Sequence, residues 1–354
     1  MTDSLAGLHE RARQRLDPVH YDFFAGGAGA EVALAENERA FGRLALRPRV
    51  LRGNDIRDLR TMLPGALAAL PVFVAPTAFH RLAHPDGELA TARATAAAGA
   101  VLISSMAATV AIGEVAAAAR AVDPAAAVWF QLYLQRDPAV TEHLVRRAEA
   151  AGCSALVITV DSPVFGRRER DQRNGFHELP AGLTTANMQD LPGGPREIDM
   201  SADFSWAHLA RLRALTRLPL LLKGILHPAD ARLAVEAGLD GIIVSNHGGR
   251  QLDAAQATIE ALPPIVSTVD GEIPVLLDGG VRRGSDAVIA LALGATAVGL
   301  GRPVLWGLAA AGESGVRQVL ELIRTELDHV LALCGASRPA ELTADLVVPR
   351  GCRC

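Results

Sequence analysis

The chain has 354 residues, half of them hydrophobic and 21% charged, which is ample apolar material for a large core. A formal net charge of -4 without long basic runs excludes an electrostatic nucleic-acid binder and favours a small-molecule partner. The apolar stretch Ala287 to Gly301 carries three glycines and falls short of the ~20 residues that a membrane span needs, so no membrane association is expected.

Met1-Thr2-Asp3-Ser4 lacks the basic and apolar segments of a secretory signal. Residues 1 to about 65 read as helices plus a loop, broken at Gly26-Gly27-Ala28-Gly29. Apolar strand-like runs then alternate with helical patterns. The strand candidates are Leu70 to Ala75, Ala100 to Ser105, Val128 to Tyr133, Ala155 to Asp161, Pro219 to Lys223, Gly241 to Ser245, Pro274 to Asp278 and Ala297 to Gly301. Helical patterns run over Glu88 to Ala98, Val140 to Ala151, Pro228 to Ala237 and Ser285 to Leu293, the longest being Val316 to Leu333.

Eight alternating units, with no dinucleotide glycine fingerprint after the first strand, predict an α/β fold of the TIM (β/α)8 barrel type rather than an open doubly wound sheet. The chain is expected to be one domain: an N-terminal helical segment over 1–65, a barrel over 66–335 and a tail over 336–354. The insertion after the fourth strand, 162–205, carries Pro180, Gly182, Pro192, Gly193 and Gly194 and reads as a lid loop. Four cysteines, Cys153, Cys334, Cys352 and Cys354, are too few and too unevenly spaced for a disulfide framework. They favour a reducing cytoplasm, and the Cys352-Arg353-Cys354 end reads as a frayed terminus; no metal site is expected.

Chemistry concentrates where these strands end. After Gly241-Ile242-Ile243-Val244 comes Ser245-Asn246-His247-Gly248-Gly249-Arg250-Gln251. His247 can take a proton near neutral pH, and Arg250 is a planar fork for a carboxylate. The pairing suits a substrate with a carboxylate beside an acidic proton. Lys223 closes the run Leu220-Leu221-Leu222, and two glycine-rich arginine segments follow, Asp278-Gly279-Gly280-Val281-Arg282-Arg283-Gly284 and Gly301-Arg302-Pro303. Gln131, Tyr133, Thr159, Asp161, Lys223, Ser245, His247, Asp278 and Arg302 all fall at or just past an expected strand end, the end of a barrel that carries its chemistry.

In this order the motifs resemble the FMN-dependent 2-hydroxy acid oxidase and dehydrogenase family, which includes glycolate oxidase, lactate oxidase and mandelate dehydrogenase. The resemblance runs from about Tyr21 to about Gly335. It implies FMN as cofactor, with Arg282 and Arg302, beside Gly279, Gly280 and Gly301, on the phosphate and Asp278 on the ribityl hydroxyls. Lys223 would stand beside the ring's N1 and C2 carbonyl, where reduction brings negative charge. Ser105, Gln131, Thr159 and Ser245 would complete the ring's polar contacts, with Pro76-Thr77-Ala78 packed against it. His247 would be the base and Asp161 would stabilise its imidazolium. Arg168 and Arg250 would bind the carboxylate, and Tyr133 the neighbouring oxygen. Residue types leave open whether the Cα hydrogen departs as a proton or a hydride.

The chain also departs from the family. Phe23 stands where many relatives have a tyrosine that bonds the substrate carboxylate, and Ala107 stands where glycolate oxidase-like members carry an aromatic. Phe79 and Met106 are expected to form an apolar wall. These changes favour a larger, aromatic 2-hydroxy acid over glycolate, as in bacterial hydroxymandelate oxidase-like members. Three readings follow: an oxidase passing electrons to oxygen and releasing hydrogen peroxide, a dehydrogenase using a quinone or protein acceptor, and a flavin-binding protein without turnover. Ala78, where dehydrogenases more often have glycine, and the intact His247, Arg250 and Lys223 set favour the oxidase. The resemblance also implies a homotetramer.

Overall fold

The computed structural model describes residues 4–200 and 202–351. The Cys352 to Cys354 terminus lies outside the described residues. Eight parallel strands, Val72–Val74, Val101–Ser105, Val128–Leu132, Ala155–Thr159, Leu220–Ile225, Gly241–Val244, Val275–Asp278 and Ala297–Leu300, close into a barrel in which the last pairs with the first. Each strand is buried on both faces, which is why the sequence shows unbroken apolar runs rather than alternation. Inward residues Phe73, Val101, Ile103, Trp129, Val157, Leu221, Ile243 and Leu276 fill the interior. Their outward neighbours, such as Leu102, Phe130, Ile158 and Leu222, pack beneath the surrounding helices.

The side-chain period of two then decides what stands at the top of the barrel. Two residues beyond the apolar layer, the inward positions are Ser105, Gln131, Thr159, Lys223, Ser245 and Asp278, all buried. Ser105 lies opposite Gln131, and Thr159 opposite Lys223, in the ladder. A filled apolar barrel thus ends in a ring of polar groups at its C-terminal face.

Among the described residues three helices precede the barrel: α1 (Leu5–Arg15), α2 (Pro18–Ala25) and α3 (Val32–Gly42). Asp17 caps α2 through its bond from Val19 N, with Pro18 at the first helical position. Two features of the flanking segments differ from the sequence reading. A hairpin of Thr61–Leu63 and Ala66–Ala68 puts Leu63 and Ala68 into the inner core, so the expected boundary near residue 65 falls in its turn. Leu44–Leu46, inside the segment read as helices plus a loop, pairs antiparallel with Val347–Pro349 from the expected tail. Three-residue strands show no period, and the partners are about 300 residues apart, so nothing local announces the pairing.

The last long helix starts earlier than expected. It runs Arg302–Leu333 with a break at Ala311 and Gly312, where φ is 60° at the glycine. The expected start at Val316 lies inside its second half. The segment after the fourth strand contains a short lid helix, Glu169–Arg173, and a turn of 3-10 helix, Ala186–Met188. Buried Asn187 anchors it, accepting from Ile112 N at 2.9 Å and donating to Met106 O at 3.2 Å.

Candidate active site

His247 leaves the sixth strand in the left-handed region, φ 60°, followed by Gly248 at 64° and Gly249 at 73°. A non-glycine residue held there costs on the order of 1 kcal/mol or more and persists because its surroundings impose it. Gly249 is required by packing, since a Cβ would sit 2.4 Å from Leu34 N in α3. The turn delivers His247 Nδ1 to 2.8 Å from Asp161 Oδ1, which also accepts from Ser162 Oγ at 2.8 Å. A carboxylate accepts, so Nδ1 carries the proton and Nε2 keeps its lone pair for the cavity. Burial lowers the His247 pKa below its ordinary value of 6.5; Asp161 opposes this and Lys223 adds to it. Burial pushes Asp161 the other way, but His247, Lys223 and Ser162 together hold its pKa below 3.8. The imidazole is therefore neutral and ready to take a proton, and its partner is ionised.

Four arginines converge on the same space. Arg250 Nη1 donates to Phe23 O at 2.7 Å and Gly26 O at 2.8 Å, with its guanidinium 5.1 Å from the Phe23 ring centroid. Arg302 donates to Phe24 O at 3.0 Å, Gly248 O at 2.9 Å and Gly26 O at 2.7 Å. Arg168 Nε is buried without a partner, its nearest carboxylate being Asp171 at 3.9 Å, and Arg282 pairs with Glu38 at 2.8 Å. Burial and then Arg168 and Arg302 push the Arg250 pKa well down; burial and Arg282 push Arg302 to about 9. A guanidinium does not give up its proton under these conditions, so the shortfall appears as affinity for anions. Tyr133 stays a phenol, its pKa raised by burial and by Asp161.

Lys223 Nζ donates to Ser245 Oγ at 2.8 Å and lies 3.3 Å from Asp278 Oδ2. The other Asp278 oxygen, Oδ1, is buried with no partner, and so is Gln131 Nε2, although Gln131 Oε1 accepts from Ser105 Oγ at 3.2 Å. Each such orphan costs roughly 1–3 kcal/mol. Two on one platform point to a polar ligand above it, offering an acceptor to Gln131 and a hydroxyl to Asp278.

The cavity that these groups line has a volume of about 670 Å³, within the range of small-molecule sites. Pro76, Thr77, Ala78, Ser105, Tyr133, Arg168, Lys223, His247, Arg250, Asp278, Gly279, Gly280, Arg282, Gly301 and Arg302 all line it. Gln131 and Ser245 lie just below, Ser245 holding Lys223 and accepting from His247 N at 3.1 Å. Thr159 is buried at the same level and opens with Tyr133 on a neighbouring side cavity. An FMN suits this donor set: orphaned amide and carboxylate groups for the ring edge and ribityl chain, a lysine beside them, and two arginines at the glycine turns. Arg302 is also the first residue of a long helix, whose end favours a phosphate.

The apolar wall differs from expectation at one residue. Phe23, Phe79 and Ala107 line the cavity, but Met106 is fully buried in the outer core with its sulfur 4.0 Å from Gln135 Nε2. Parity explains it: Ser105 points inward, so Met106 points out. The wall is completed by Phe176 and Leu305, which sequence reasoning did not select. Phe23 stacks on Phe79 at 5.7 Å and tilts against Phe176 at 5.1 Å. An aromatic in the polar stretch Asn174-Gly175-Phe176-His177 was the available signal. Tyr21 does not replace the missing tyrosine, because its hydroxyl is 2.9 Å from His9 Nε2.

Comparison with known proteins agrees with this geometry. The family model for FMN-dependent dehydrogenase matches residues 12–349. Glycolate oxidase 5 of Oryza sativa subsp. japonica is 45% identical over 351 residues, covering 95% of this chain and 93% of its own. L-lactate oxidase of Nostoc sp. is 47% identical, covering 95% of both. Among solved structures, mandelate oxidase with benzoyl-formic acid is 46% identical and superposes with a TM-score of 0.89 over 98% of each chain. With the matched region spanning the barrel, the base loop and both glycine-arginine turns, the chain belongs to the FMN-dependent dehydrogenase family.

Proposed function

We propose that this protein is an FMN-dependent oxidase of (S)-2-hydroxy acids with medium-size or aromatic side chains, yielding the 2-keto acid and, from oxygen, hydrogen peroxide. The observation that carries it is His247, oriented by Asp161 at 2.8 Å, facing the same cavity as Arg168, Arg250 and the Lys223 platform. FMN, when bound, supplies the two-electron acceptor for the substrate and the donor for oxygen. Arg250 and Arg168 hold the substrate carboxylate, and Tyr133 donates to an oxygen beside it. His247 Nε2 takes one substrate proton, and Asp161 stabilises the imidazolium that results. Phe23, Phe24 and Leu305 give the cavity an apolar side.

Side-chain size should govern selectivity. Phe23 offers no hydroxyl to any carboxylate, a loss of roughly 1.5–3 kcal/mol for every substrate. Burying a phenyl group against Phe79, Ala107 and Phe176 returns roughly 2–3 kcal/mol at about 25 cal/mol per Å². Glycolate cannot collect that. Anaerobic flavin bleaching across glycolate, lactate, 2-hydroxyoctanoate and mandelate, followed by admission of oxygen, tests the reading. A preference for glycolate would sink it, as would reduced flavin that oxygen does not reoxidise.

We also propose a homotetramer working in the cytoplasm. The family resemblance supports the assembly, and the buried, unpaired Cys153 and Cys334 support a reducing compartment. Light scattering on the eluted protein should give four times the chain mass, and a monomer would refute it. Among the described residues no helix is long and apolar enough to cross a membrane.

A further inference from the structure

We infer that Arg170, in the lid helix, is a positioning residue that sets selectivity for the substrate side chain, an inference that rests on the 2-hydroxy acid reading above. Arg170 does not line the cavity, although Arg167, Arg168, Asp171 and Gln172 on either side do. Its guanidinium instead forks across two carboxylates of the N-terminal segment, Nη1 to Asp22 Oδ1 at 3.1 Å and Nη2 to Glu31 Oε2 at 2.6 Å. Asn174, one turn later, donates to the second Asp22 oxygen at 2.9 Å. The other oxygen of Glu31 accepts from Gly27 N at 3.0 Å, and Glu31 holds a left-handed φ of 63°.

These contacts bracket one stretch, Phe23 to Gly27, the C-terminal end of α2 and the turn that follows it. Its carbonyls at Phe23, Phe24 and Gly26 accept from Arg250 and Arg302. Its side chain at Phe23 meets Phe79, from the loop after the first barrel strand, and Phe176, two residues beyond Asn174 in the lid. The three-ring wall is therefore assembled from three segments far apart in the chain. Arg170 and Asn174 supply polar ties from the lid to α2, beside the ring contacts of Phe176 with Phe23 and His20. A partly exposed ion pair contributes little to global stability, so a role in stability alone does not account for a planar fork spanning two segments. A lysine would offer a flexible point charge in place of the planar fork.

The test compares wild type, Arg170→Ala and Arg170→Lys as FMN-loaded protein. Arg170→Ala should cut the ratio of kcat/KM for mandelate over lactate by about tenfold, the scale of one aromatic contact. The loss should appear in KM for mandelate, with flavin content retained. Binding of benzoylformate, followed by the flavin absorbance, should weaken by a similar factor, and amide exchange over residues 166–177 should speed up. Arg170→Lys should recover part of each effect. An unchanged ratio, or an equal loss for both acids, would overturn the inference while leaving the proposed function intact. Wild-type flavin that no 2-hydroxy acid bleaches would remove the functional reading itself.

Discussion

Replacing His247 by asparagine is expected to slow anaerobic bleaching of the flavin by about 10²- to 10⁴-fold, the usual contribution of a positioned general base. Asparagine keeps a polar group near the Asp161 carboxylate but accepts no proton at neutral pH. The flavin should remain bound, because the two phosphate arginines and the platform residues Gln131, Lys223 and Asp278 belong to other strands and loops. Stopped-flow absorbance measures the effect, and a variant reduced as fast as wild type would place the base elsewhere. The pH profile provides a second check. Burial lowers the His247 pKa from 6.5, so the base is protonated, and activity lost, only as pH falls through a value below 6.5. An acidic limb of kcat/KM centred above 6.5 would contradict the assignment. Asp161→Asn should move that limb lower still, since it is the Asp161 carboxylate that raises the His247 pKa.

The Lys223→Met variant is expected to lose flavin and stability together. Lys223 is 3% exposed and Asp278 6%, and the lysine is the cation 3.3 Å from that carboxylate. Removing one member of a buried pair typically costs about 3–5 kcal/mol, because the other is left buried and unpaired. It also removes the positive charge beside the platform that carries the orphaned groups. Purification should give pale protein with a lower unfolding midpoint. Adding Asp278→Leu should restore much of the stability, as the stranded charge is gone, without restoring colour. Yellow Lys223→Met protein with a wild-type midpoint would show that Lys223 neither serves the flavin nor balances Asp278.

Several elements were legible because the sequence itself carries their physical signature. Strands buried on two faces appear as short apolar runs, and the eight expected segments each contain the observed strand, apart from an extension of the fifth to Ile225. Polar residues that interrupt such runs at their ends, as at Gln131, Lys223 and Asp278, mark the barrel mouth. His247-Gly248-Gly249 was legible for the same reason, since consecutive left-handed residues call for glycine. Residues just past a strand end were less so. Met106 follows inward Ser105 and therefore faces the outer core, a matter of parity that a motif does not show.

By itself, then, the sequence determined the barrel, its polar mouth and the His247, Arg250 and Lys223 positions that share one cavity there, because each is written in periods of two to four residues or in compact glycine motifs. Only the tertiary structure decided how the wall and the lid are held. Arg250 and Arg302 spend donors on carbonyls of Phe23, Phe24 and Gly26, more than 220 residues away. Arg170 reaches Asp22 and Glu31 across 148 and 139 residues, and Phe176 meets Phe23 from the far side of the lid. Such contacts follow from where the closed barrel brings its loops. No local spacing encodes them, because the hydrogen-bond partner of an arginine is chosen by distance in space and not along the chain.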